Sequence, residues 1–233
     1  MWFMTFDPLY WLLVGPAVLL AFYAQFRVKS AYARYSRVGT QRGVTGAEAA
    51  RRILASAGIR DVSVEATRGW LSDHYDPRAK TLKLSPEVHD GRSVASVGIA
   101  AHEAGHALQD AGQYAPLRFR SAVVPMAGIG SVLVWPMILG GMIFRSLGLI
   151  QLGILLFAVV VVFQIITLPV EFNASSRAKA ALADAGIVVT EEEASGVSQV
   201  LSAAALTYVA ATVAAIAQLL YFLLRFGVGG GDD

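Results

Sequence analysis

The sequence contains no cysteine. That excludes a disulfide framework, a thiolate metal site and a cysteine nucleophile, and leaves His, Asp and Glu to hold any transition metal. Charge is scarce too: 15% of the 233 residues are Asp, Glu, Lys or Arg, against about 25% in an ordinary soluble domain. A net charge of +2 is too small to mark a nucleic-acid partner, and the basic residues are not gathered into one patch. No nucleic acid is expected. Histidine occurs four times, so any site built on it has few candidates. Hydrophobic residues are abundant, at 55%. That composition excludes a disordered chain, a coiled coil or collagen, and argues against a purely water-soluble globule.

Four apolar runs are long enough for a hydrocarbon core that takes about 20 helical residues. They are Pro8 to Phe26, Ala122 to Phe144, Leu147 to Val170 and Ala203 to Phe226. Their one formal charge, Arg225, lies at an end, where a long side chain reaches the headgroups. No cationic stretch precedes the first run, and its basic flank (Arg27, Lys29, Arg34, Arg37) follows it. It reads as a retained anchor, not a secretory leader. Arg42, Arg118, Arg120, Arg177 and Lys179 add to the same side, while Arg145 and Arg225 oppose them. The positive-inside rule then predicts an outer N-terminus, cytoplasmic segments at 27–121 and 171–202, a short outer turn near Arg145 and an outer C-terminus. The expected organisation is an N-terminal anchor at 1–26, a cytoplasmic region at 27–121 and a transmembrane hairpin at 122–170. A cytoplasmic helix at 171–202 and a fourth transmembrane helix with a frayed tail at 203–233 follow, the tail being Gly229 to Asp233.

Local signals punctuate the polar region. Thr45 to Glu48 forms a capping box before a helix whose Ala47, Ala50, Ile53, Leu54 and Ala57 share a face, and Gly58 supplies a left-handed stop. Short alternating stretches at 62–67 and 70–84, around Asp76-Pro77-Arg78, predict a small sheet or hairpin. Ser93 is placed to cap a helix from Val94 to about Asp110. Thr190 to Glu193 repeats the capping box and opens a helix that runs towards the fourth span. The fold class expected is a mainly α membrane protein with four transmembrane helices and a small α+β region.

The helix from Val94 carries His102-Glu103-Ala104-Gly105-His106. Histidines four apart on a helix turn through about 400°, so both rings lie on one face, one turn apart. Two imidazole nitrogens can then reach one Zn²⁺, while Glu103, about 100° away, is left beside the ion to move protons. The bland alternative is a polar stripe on a solvated helix, but Ile99, Ala100, Ala101, Ala104, Ala107 and Leu108 surround the motif with apolar groups. Buried polar groups require partners, and a metal would provide them. A catalytic zinc takes three protein ligands. His74 and His89 are available, but between Asp110 and Asp184 the one carboxylate is Glu171, at the exit of the third span. An ionisable group at that boundary is a functional candidate; its bland reading is an ion pair with Arg177 or Lys179. Beside the histidine pair, the ligand reading is favoured.

The stretch from His102 to Gln109, the upstream Asp73-His74-Tyr75-Asp76-Pro77 and the later Pro169-Val170-Glu171-Phe172-Asn173-Ala174 together resemble the YugP-like bacterial membrane zinc metallopeptidases. The resemblance spans nearly the whole chain. More widely it is similar to gluzincins such as the HtpX-like and CAAX-prenyl-protease enzymes. It implies a minigluzincin-like catalytic region with one Zn²⁺ per chain, held by His102, His106 and Glu171, and Glu103 as base. The resemblance implies a bacterial membrane enzyme that hydrolyses peptide bonds. The basic flanks, with Glu171 at the exit of the third span and Arg118 and Arg120 just before the second, predict a multi-pass inner-membrane protein acting on membrane-associated substrates at the cytoplasmic face. Those relatives commonly carry Asp four residues after the ligand Glu, whereas this chain has Ser175. Asp110, one turn after His106, is a candidate substitute. His74 is the first candidate for stabilising the oxyanion, with Tyr75, Tyr114 and Arg177 behind it, and His89 reads as a loop or capping residue. Two rivals are an intramembrane site-2-type protease and a non-catalytic transporter or scaffold with a structural metal.

Overall fold

The computed structural model describes residues 7–69 and 72–227; the tail from Gly229 lies outside the described residues. Seven helices and three strands follow one another among these residues. They are α1 (Pro8–Tyr35), α2 (Gly46–Ser56), β1 (Ser63–Ala66), β2 (His74–Asp76), β3 (Thr81–Leu84), α3 (Pro86–His89), α4 (Val94–Ala111), α5 (Ala115–Ile143), α6 (Leu147–Asp184) and α7 (Glu191–Phe226). The protein is mainly helical, and α1, α5, α6 and α7 are long and apolar enough to cross a membrane. These helices outrun the apolar stretches, α6 continuing past Pro169 into the polar segment. The segment 171–202 is therefore not one helix, as the charge pattern suggested. It is the end of α6 and the start of α7, parted at Gly186, whose φ is +61°.

The chain divides into two compact units. The first holds residues 1–24, 119–169 and 207–233. In it Val14, Val134, Ile138, Ile150, Ile154, Tyr221 and Phe222 form a buried cluster. Tyr221 OH donates to Asp7 Oδ2 at 2.9 Å. The start of α1, the turn between α5 and α6 and the last turns of α7 therefore share one end of this unit. Its outward side chains, Leu12, Leu19, Val132 and Leu155 among them, are exposed and apolar, as a lipid-facing surface requires.

The second unit holds residues 25–118 and 170–206. Its core joins Tyr35 of α1, Ile53 of α2, Leu82 and Leu84 of β3, Val94 and Val97 of α4, Leu182 of α6 and Val200 of α7. Helix α2 opens on the capping box, with Glu48 N donating to Thr45 Oγ1 and Thr45 N to Glu48 Oε2, and it closes before Gly58 at φ +73°. A second box opens α7: Glu193 N donates to Thr190 Oγ1, and Thr190 N to Glu193 Oε2. The sheet has order β1-β3-β2. The expected hairpin is β2–β3, antiparallel with Tyr75 opposite Leu82, and Asp76 Oδ1 accepts from Arg78 N and Ala79 N to close its turn. The parallel pairing of β1 with β3 had no sequence signal. His89, expected in a loop or capping role, is the last residue of α3, and its Nδ1 lies 2.7 Å from Asp90 Oδ1.

Candidate metal centre

Helix α4 is capped by Ser93, whose side chain accepts from Ser96 N, and is buried along most of its length against α2 and β3. Small residues let it approach α6 closely. A Cβ on Gly105 would fall 2.5 Å from the Ala174 carbonyl oxygen, so only glycine fits there. This crossing sets the last turns of α4 against the part of α6 that follows Pro169.

The crossing brings His102, His106 and Glu171 together, one potential ligand atom from each lying within 4.8 Å of the other two. Glu171 Oε2 is 3.2 Å from His102 Nε2 and 3.6 Å from His106 Nε2. Zinc–nitrogen and zinc–oxygen bonds near 2.1 Å put tetrahedral neighbours about 3.4 Å apart, so the spacing fits one zinc ion. The donor set fits as well: two imidazoles and one carboxylate, with Glu171 2% exposed. Burial alone would push the His106 pKa down, but bonding to Glu171 and the nearby Glu103 carboxylate reverse this and raise it. The site therefore favours positive charge.

Neither ring is left to rotate. His102 Nδ1 shares a 3.1 Å hydrogen bond with Ser175 Oγ, and His106 Nδ1 lies 3.0 Å from Gln109 Oε1. Asp110, expected in that supporting role, is turned away from both histidines. It points across the unit to the hairpin, accepting from Tyr75 OH and Lys80 Nζ. One helical position separates Gln109 from Asp110, and about 100° of rotation per residue decides which of them meets the ring. Gln109 closes the motif stretch but was given no role, since a neutral amide inside an apolar helix follows no charge pattern.

Glu103 is buried beside His106 and makes no side-chain hydrogen bond among the described residues, which leaves its carboxylate available. His74 is not brought into the cluster. It lies exposed on β2, with Nδ1 2.7 Å from the Ser72 carbonyl oxygen. Its neighbour Tyr75 points to Asp110 on α4, and alternation along a strand sends His74 to the opposite face. Of the other groups considered for an oxyanion, Tyr75 donates to Asp110, and the Arg177 guanidinium covers the Tyr114 ring at 5.9 Å while its Nε donates to Asn173.

A family model described as "Putative neutral zinc metallopeptidase" matches residues 10–227. The chain belongs to this family of neutral zinc metallopeptidases. It is 49% identical over 217 residues, 93% of this chain and 96% of the relative, to a Bacillus subtilis (strain 168) protein named "Putative membrane protease YugP". No solved structure matches the chain. As a neutral zinc metallopeptidase it is a hydrolase of peptide bonds, and four of its helices have the length and hydropathy of membrane spans.

Proposed function

We propose that the protein is a membrane endopeptidase whose single zinc ion is held by His102, His106 and Glu171, with Glu103 as the catalytic base. The convergence of these three side chains from two helices carries this reading. Zinc bound there supplies Lewis-acid polarisation of the scissile carbonyl and of a water. Glu103, adjacent to His102 and without a side-chain hydrogen bond among the described residues, takes the proton of the attacking water and returns it to the leaving amine. Ser175 and Gln109 hold the two rings at their Nδ1 atoms. His74 is reserved for contact with a peptide lying along the edge of β2.

The arrangement of basic residues supports an inner-membrane protein with its catalytic region, 27–121 together with 171–202, on the cytoplasmic side. In the sequence Glu171 directly follows the third apolar run, Leu147 to Val170. Substrates are accordingly membrane-associated proteins or segments close to the bilayer. Helix α4 packs within the second unit and is not among the four long apolar helices, which speaks against the intramembrane alternative. The test compares zinc content and cleavage of one peptide, free and vesicle-tethered, by purified variants. Glu103→Gln is expected to keep its zinc and lose activity by about 10²- to 10⁴-fold, Glu171→Ala to lose zinc, and His74→Ala to slow turnover. A Glu103→Gln enzyme of undiminished activity defeats the mechanism, equal cleavage of free and tethered peptide defeats the substrate class, and wild-type turnover by His74→Ala removes that residue.

A further inference from the structure

An arginine side chain has only donors to offer. Arg177 Nε donates to Asn173 Oδ1 at 2.8 Å, so the Asn173 atom facing it is the carbonyl oxygen. That oxygen also accepts from Gln109 Nε2 at 3.0 Å, and the same Nε2 donates to the Val170 carbonyl at 2.8 Å. Both neighbours of this end of Gln109 are acceptors, so the amide cannot be turned round: its NH₂ faces α6 and its oxygen faces α4. Gln109 Oε1 lies 3.0 Å from His106 Nδ1. A carbonyl oxygen only accepts, so Nδ1 must carry hydrogen. In the neutral ring this leaves Nε2 as a bare lone pair, and Nε2 is the atom 3.6 Å from Glu171 Oε2. A lone pair facing a carboxylate oxygen is repulsive unless a cation lies between them.

We propose that Gln109 is the positioning residue of the metal centre, locking His106 in the Nδ1–H tautomer so that the neutral ring presents Nε2 as the acceptor for a divalent cation. Its role as a metal-centre residue rests on the zinc-site reading above. Gln109 is 0% exposed, so no water competes for its amide. Through Val170 and Asn173 it also grips the stretch of α6 that carries Glu171, so one side chain sets the ring of one ligand and the backbone of another. The histidines are prepared differently. Ser175 has a hydroxyl that either donates or accepts, so it orients His102 without dictating its tautomer. Ligand histidines elsewhere commonly donate to a carboxylate that raises their basicity. Here an amide provides the orientation and adds no negative charge, and the ligand set keeps Glu171 as its one anion.

The experiment uses full-length protein in nanodiscs labelled with ¹⁵N-histidine, with His106 identified by the signal missing from His106→Gln. Long-range ¹H–¹⁵N spectra are recorded metal-free at alkaline pH, where the ring is neutral, and again with zinc. Wild type is expected to show Nδ1 protonated and Nε2 bare, with zinc shifting Nε2. Gln109→Met, an apolar residue of similar shape, is expected to mix the two tautomers and weaken zinc binding about 10- to 100-fold in chelator competition. A wild-type His106 carrying its neutral-state proton on Nε2 overturns the proposal without any variant. Gln109→Met with the wild-type tautomer and wild-type zinc affinity overturns it as well. Wild-type protein that takes up no zinc defeats the metallopeptidase reading instead, and the metal-free spectrum then decides the tautomer lock by itself.

Discussion

Asp110 Oδ2 accepts two short hydrogen bonds, from Tyr75 OH and Lys80 Nζ, each 2.7 Å. They tie the end of α4 to the hairpin. Burial pushes the Asp110 carboxyl up, but the bonds from Lys80 and Tyr75 more than offset this and hold it below the usual range. Burial and the bond to Asp110 both push the Tyr75 phenol up. The lowered Asp110 contributes stability above the ordinary Asp value of about 3.9, lost as pH falls through its folded value. The raised Tyr75 contributes below the ordinary Tyr value of about 10, lost as pH rises through its folded value. Asp110→Asn should therefore lower the melting temperature by a few degrees near neutrality and converge with wild type in strong acid. Added salt should shrink the difference, because Lys80 is half exposed. Its zinc content should be unchanged, since Asp110 touches neither histidine. Identical melting curves at neutral pH would show that the tether contributes nothing.

At the scale of elements, the decisive contact is the crossing of α4 and α6. Gly105 permits it: a Cβ there would lie 2.5 Å from the Ala174 oxygen and 3.3 Å from Ala174 Cα. Gly105→Ala should force the helices apart, cost about 1–3 kcal/mol and weaken zinc binding, because Glu171 would move relative to the histidine pair. Gly148→Ala is the control, since nothing lies within 4 Å of its added Cβ. Equal zinc affinity in the two variants would show that the metal centre tolerates a wider crossing. Element identity was readable where chemistry is local. Both capping boxes rest on residues three apart, and Gly58 ends α2 with a conformation glycine adopts readily. The β1–β3 pairing was not readable, because a four-residue strand does not encode its partner.

For the whole molecule, the absence of cysteine makes any single introduced cysteine a unique reporter. Ser36 and Leu147 are both exposed, one after the first apolar run and one at the turn near Arg145. With basic residues inside, an impermeant maleimide should label Leu147→Cys on intact cells and Ser36→Cys only after lysis. The reverse pattern would place the catalytic region outside. The start of α1, the α5–α6 turn and the end of α7 share one end of the apolar unit, so a cysteine near residue 227 should label like Leu147→Cys.

Hydropathy and helix periodicity alone determined the four long helices, the facing pair His102 and His106, and the adjacent Glu103, because each depends on spacing within one element. The isolation of Glu171 among neutral residues marked it, yet its approach to the imidazoles required a helix crossing that no local pattern specifies. Tertiary structure alone decided that Gln109 and Ser175 hold the rings while Asp110 turns to the hairpin. The physical reason is that a hydrogen-bond partner is chosen by the rotation and packing of whole helices, and a neutral side chain leaves no charge or periodic trace of that choice.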